Sequence, residues 1–121
     1  MAKGDDIQER LIQFAVDVIK LCSMLPNTPA GRHIAGQLLR CGTSPAPNYG
    51  EARGAESRKD FTHKLGVVLK ELNESGIWLE VIKRSELLTF DIIQPVAAES
   101  NELSKIISSS IRTATKPKIQ N

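Results

Sequence analysis

Apolar residues recur at steps of three and four along almost the whole chain, and four times that rhythm is stopped by proline, glycine or a capping side chain. Ile7, Leu11, Phe14, Val18, Leu21 and Leu25 gather on one stripe of a first helix, opened by Asp5 and Asp6. Ile12, Val16 and Ile19 form a second, flanking stripe, so this helix is expected to touch two neighbours. Pro26 to Pro29 end it, since proline lacks an amide donor and disfavours helical geometry in the residue before it.

Thr28 with Pro29 reads as the start of a second helix, carried on by Ile34, Leu38 and Cys41. Gly42, Pro45 and Pro47 oppose an unbroken run, and Ser44 before Pro45 can start a new helix, so a kink or break is expected between Gly42 and Pro47. Ser57 to Asp60 has the Ser-x-x-acid spacing of a capping box ahead of Phe61, Leu65, Val68, Leu72, Leu79 and Ile82, which predicts a third helix from about Ser57 to Arg84. After residues 85–89, Ile92, Val96, Leu103, Ile106, Ile107 and Ile111 describe a fourth, with Pro95 expected near its first turn.

No alternating strand pattern occurs. Four long helices with short connections predict an all-α, up-down-up-down four-helix bundle. At 121 residues there is room for one such domain, with an ordered core of about 5–115 and a polar tail expected to fray. No apolar run has the length of a membrane span and no signal-peptide pattern is present, and Cys22 and Cys41 fit neither a zinc motif nor a disulfide framework. A reduced cytoplasmic protein is expected.

The net charge of +2 conceals a polarity. Residues 32–70 hold seven basic and three acidic side chains, whereas residues 71–102 hold two basic and seven acidic ones. Arg40, Arg53, Arg58, Lys59 and Lys64 are therefore candidate phosphate-facing groups, with Arg112, Lys116 and Lys118 expected at the same end of the bundle. The bland alternative is a solvated helix surface, and another is acidic-to-basic contact between subunits. With 4% aromatic residues, a base-stacking sheet is excluded.

Catalytic signatures are lacking. Asp60 and His63 alone approach the Glu-x-x-His turn of a di-metal bundle, and His33 has Ala30 where the carboxylate belongs. No nucleophile elbow, phosphate loop or dinucleotide fingerprint is present, so neither an enzyme nor a metal or other cofactor is expected. Glu99 sits on the fourth helix's apolar stripe, Ser75 and Gly76 interrupt the third's, and Asn48, Tyr49 and Glu51 lie in the irregular middle. These polar residues suggest a network that fixes helix register, the alternative being a ligand pocket.

The runs Cys41-Gly42-Thr43-Ser44, Asn48-Tyr49-Gly50-Glu51-Ala52, Ser57-Arg58-Lys59-Asp60-Phe61, Lys64-Leu65, Lys70-Glu71, Glu74-Ser75 and Trp78-Leu79-Glu80, closing with Glu99, Asn101-Glu102-Leu103 and Ile106-Ile107, resemble the 23S rRNA intervening-sequence protein family from about Ile12 to Ala114. The resemblance implies a four-helix bundle assembled as a homo-oligomer, often a ring of five. It also implies kinship with accessory variability proteins of diversity-generating retroelements, whose basic barrels bind a reverse transcriptase and nucleic acid. Pro45, Pro47 and Gly50 depart from the usual pattern. The expected role is an accessory or scaffold that contacts RNA, DNA or a nucleic-acid-processing protein; the alternative is a structural homo-oligomer that binds no nucleic acid.

Overall fold

The computed structural model describes residues 4–117 and is helical throughout its regular structure: α1 (Asp5–Ser23), α2 (Pro29–Thr43), α3 (Pro45–Arg53), α4 (Arg58–Arg84) and α5 (Phe90–Thr115). Lys118 and the end of the tail lie outside the described residues. Because α2 and α3 are two pieces of one bent rod, four rods run up, down, up and down. The rod α2–α3 packs between α1 and α4, and α5 closes the ring against α4 and α1. We call the end holding the start of α1 and the end of α5 the base.

Each boundary has a local cause. The Thr28 hydroxyl accepts the Gly31 amide at 3.0 Å, and the Ser57 hydroxyl accepts that of Asp60 at 3.0 Å, so both expected caps are present. Pro45 and Pro47 cannot donate to the carbonyls four residues back, which breaks the ladder around Ser44 and separates α3 from α2. Asn48 bridges the joint by donating from Nδ2 to the Ser44 carbonyl at 2.9 Å, and Gln8 of α1 donates to the Ala46 carbonyl at 2.9 Å. Glu86 has φ 57°, and the amides of Glu86 and Leu87 turn back to the carbonyls of Lys83 and Ile82, a Schellman ending with glutamate where glycine is usual. Pro95 lies one turn deeper in α5 than the spacing suggests, but on an exposed face, where the carbonyl it leaves without a helical donor is cheapest to free.

Leu11, Phe14, Val18, Leu38, Leu65, Val68, Leu72, Leu79, Ile82, Leu103 and Ile107 are sealed in the centre. At about 25 cal/mol per Å² of apolar surface, this burial dominates the fold's stability. The flanking stripe on α1 differs from expectation. That helix does touch α2, α3 and α5, but Ile12 and Ile19 remain 42% and 47% exposed because the neighbours cover only its inner stripe.

Two glycines let α1 and α2 approach. A Cβ on Gly42 would sit 2.7 Å from Val18 Cγ1, and one on Gly31 would sit 1.9 Å from the Pro26 carbonyl oxygen. Between α4 and α5, buried Ser100 donates to the Leu72 carbonyl at 3.0 Å, and within α4 buried Ser75 donates to that of Glu71 at 2.8 Å, its oxygen 3.4 Å from Cys41 Sγ of α2. Small hydroxyls that bond a backbone carbonyl are satisfied inside a dry core.

Candidate functional site

The five candidate cations do not form one unpaired patch, since three of them are held in ion pairs. Arg40 projects from α2 toward α4, donating to Glu71 Oε2 at 3.2 Å and to Glu74. Trp78 also donates to Glu74 at 3.2 Å, and His33 meets the Trp78 ring edge-on at 6.0 Å, so Arg40 belongs to a belt tying α2 to α4. Arg53 pairs with Asp5 at 2.6 Å across the base, and Lys64 lies 3.7 Å from Glu51. Arg58 and Lys59 stand exposed in the first turn of α4 and make no ion pair among the described residues.

Nor do the four polar candidates meet in one network. Asn48 secures the joint at Ser44, and Glu51 pairs with Lys64. Glu99 takes Arg10 of α1 in a two-point contact of 3.0 and 2.7 Å, and the hydrogen bonds to Glu99 push the Arg10 pKa up. One residue further along α5 it is Ser100, not Glu99, that faces the core. Tyr49 is buried, which raises its pKa, and its hydroxyl opens onto a cavity at the base.

Three surface features take their shape only from the packing. Lys105 and Arg112, seven residues apart on α5, line a shallow groove of about 280 Å³ with Leu69, Asn73, Ser104 and Ser108, and neither makes an ion pair among the described residues. Their spacing of two helical turns is the signal that could have found them. On the opposite flank, Ile12 and Ile19 of α1 run beside Leu39 of α2, which is 41% exposed. Val18 meets Gly42, and the Cys22 thiol donates to the Ala35 carbonyl, which sets Ile19 and Leu39 at one height. The third feature is the basal cavity, about 610 Å³, bounded by Gly4, Tyr49, Arg53, Phe61, Ser109, Ser110, Thr113 and Ala114.

Reactive chemistry finds little support in these surroundings. Burial pushes the Cys22 thiol up to about 11 and raises Cys41 as well, so both are protonated at neutral pH and poor nucleophiles. Among the described residues no three His, Cys, Asp or Glu side chains cluster as metal ligands would, and Asp60 and His63 gain no partners. Also among them, no helix is long and apolar enough to cross a membrane.

Comparison with known proteins bears on the same residues. The family model of the 23S rRNA-intervening sequence protein matches residues 5–109. A crystal structure of a protein of unknown function from the S23 ribosomal protein family of Bacteroides thetaiotaomicron VPI-5482 is 36% identical, with a TM-score of 0.82, over 88% of this chain and 98% of that one. No curated protein matches.

Proposed function

We propose that this chain, which belongs to the 23S rRNA-intervening sequence protein family, works as a non-enzymatic scaffold that assembles with copies of itself. The apolar stripe of Ile12, Ile19 and Leu39 supports this most directly. Single exposed aliphatics are ordinary, but a contiguous row across two helices is the usual mark of a contact surface. Gln8, Ala15, Val16 and Ser23 on the same side of α1, with Ala35 and Thr43 on α2, add no charge that would oppose burial.

The expected particle in sedimentation equilibrium is several times the 13.3 kDa chain mass, and it persists at 1 M salt because an apolar contact is not screened. Ile19→Glu with Leu39→Glu is expected to yield a monomer with the helical circular dichroism of the wild type. A wild-type monomer across the micromolar range would remove the assembly.

A second role, contact with nucleic acid, is favoured by cations that no carboxylate among the described residues neutralises: Arg58 and Lys59 at the base, with Lys105 and Arg112 beside the α4–α5 groove. Arg40, Arg53 and Lys64 contribute less, since a phosphate must compete with their present partners. Four such contacts give a log–log salt slope of about −3 to −4 on duplex. Fluorescence anisotropy with a structured RNA and a duplex DNA at 50 and 200 mM salt is expected to show affinity falling by about two orders of magnitude. Lys105→Ala with Arg112→Ala is expected to flatten the slope by about two. Absence of binding to either at low salt would confine the protein to scaffolding.

A further inference from the structure

The basal cavity combines features that neither role above requires. Tyr49 is only 8% exposed, yet its hydroxyl makes no hydrogen bond among the described residues and faces the cavity. Every buried side-chain polar atom among the described residues has a partner, so this hydroxyl is one that the water of the cavity reaches, and a ligand entering there can take that water's place. Arg53 lies beside it, held from outside the cavity by Asp5. Gly4, at φ 94°, sets no side chain against these groups. A Cβ there would come within 2.9 Å of the Tyr49 hydroxyl and 3.3 Å of Arg53 Nε, the two donors.

The rest of the wall narrows the ligand's chemistry. Among the described residues no carboxylate lines the cavity, and the polar groups that do are the guanidinium, the phenol and the hydroxyls of Ser109, Ser110 and Thr113, all able to donate. Ser110 already donates to the Ile106 carbonyl at 3.1 Å, whereas Ser109 and Thr113, one turn apart, make no hydrogen bond among the described residues. Such a wall suits an oxygen-rich anion, with Arg53 as the charged group. On the other side the half-buried Phe61 ring supplies an apolar face on which a flat ring can lie. About 610 Å³ is within the range of small-ligand pockets and admits a mononucleotide.

We propose that this cavity binds a nucleoside monophosphate group, its phosphate on the Tyr49 hydroxyl and Arg53 and its ring system along Phe61, with Ser109 and Thr113 bonding the polar edge. The phosphate joins or displaces Asp5 at the guanidinium. Free nucleotide and the 5′-phosphorylated end of a strand present the same chemistry. The site is separate from the α1–α2 stripe and from the α4–α5 groove, so it stands or falls apart from the roles proposed above.

Isothermal titration of the full chain with AMP, UMP, ribose 5-phosphate and a tetranucleotide bearing either a 5′-phosphate or a 5′-hydroxyl tests this. AMP or UMP is expected to bind at one per chain, and ribose 5-phosphate, lacking the base, about tenfold more weakly. Tyr49→Phe is expected to weaken AMP about tenfold with an unchanged thermal melt, because the lost hydroxyl bonds nothing among the described residues. Asp5→Asn, which removes the charge of a carboxylate 2.6 Å from the guanidinium, is expected to tighten AMP severalfold. Arg58→Ala with Lys59→Ala is expected to leave AMP affinity unaltered, whatever it does to duplex binding. Binding of the 5′-phosphorylated strand but not its 5′-hydroxyl twin assigns the site to strand ends, and binding of mononucleotide alone assigns it to free nucleotide. Failure of every probe, equal binding of ribose 5-phosphate and AMP, or wild-type affinity in Tyr49→Phe would overturn the proposal.

Discussion

Leu103→Asp is expected to leave a chain with no cooperative thermal transition. Leu103 is fully buried on the inner face of α5, and the buried polar residues include Glu71, Ser75 and Ser100 but no cation. An ionised aspartate there is an unpaired charge, and a protonated one keeps a carboxyl among hydrocarbon; either costs several kcal/mol. Loss of the leucine side chain adds ~2–5 kcal/mol. The sum is comparable with the ~5–15 kcal/mol that holds a domain of this kind together. Leu103→Met, which nearly conserves volume, should cost less than about 1.5 kcal/mol and melt cooperatively. Circular dichroism and Trp78 fluorescence followed through heating read both variants, and an undiminished melt for Leu103→Asp would show that this stripe does not face the centre.

Gly31→Ala is expected to destabilise the protein by ~3 kcal/mol or more, although alanine is the better helix former. The added methyl would stand 1.9 Å from the Pro26 carbonyl oxygen, a backbone atom in the connection between α1 and α2, so either α2 must move outward or the connection must be rebuilt. Gly36 lies on the same helix, and a Cβ there meets nothing within 4 Å. Gly36→Ala should therefore gain ~0.5–1 kcal/mol from helix propensity alone. With about 3–6 °C of melting temperature per kcal/mol for a chain of this size, the two glycine-to-alanine variants should differ by more than about 10 °C. Equal melting temperatures would mean that the α1–α2 connection yields freely.

The long rods were legible because their burial follows a local period and their ends use local chemistry, as Thr28 and Ser57 show. The break near Ser44 was legible for the same reason, since a missing amide at Pro45 and Pro47 is a property of those residues alone. What α3 buries was not. Its inward residues are Pro45, Ala46, Tyr49 and Ala52, too small and mixed to print an apolar stripe.

The candidate site was harder still. Counting charges by segment places Arg40, Arg53 and Lys64 in a basic stretch, but their carboxylate partners come from elsewhere: Asp5 is 48 residues from Arg53, and Glu71 is 31 from Arg40. Ion pairing is a property of packing, so net charge along the chain overstated the cations left for a partner. Glu99 and Ser100 show the angular version of the same limit, since one residue is a 100° turn and decides which of the two enters the core. The stripe of Ile12 and Ile19 was visible as a period, and only the packed rods reveal that nothing among the described residues covers it.

The joint at Ser44 divides one rod into an upper piece whose phase is locked by Gly42 against Val18 and a lower piece steadied by Gln8 and Asn48. An insertion or twist in the lower piece is absorbed at the joint instead of being transmitted upward through a rigid spiral. The lower piece has an anchorage of its own, since Ala46, Tyr49 and Ala52 are buried, so an inherited change there must keep those three inward even where the upper piece does not feel it.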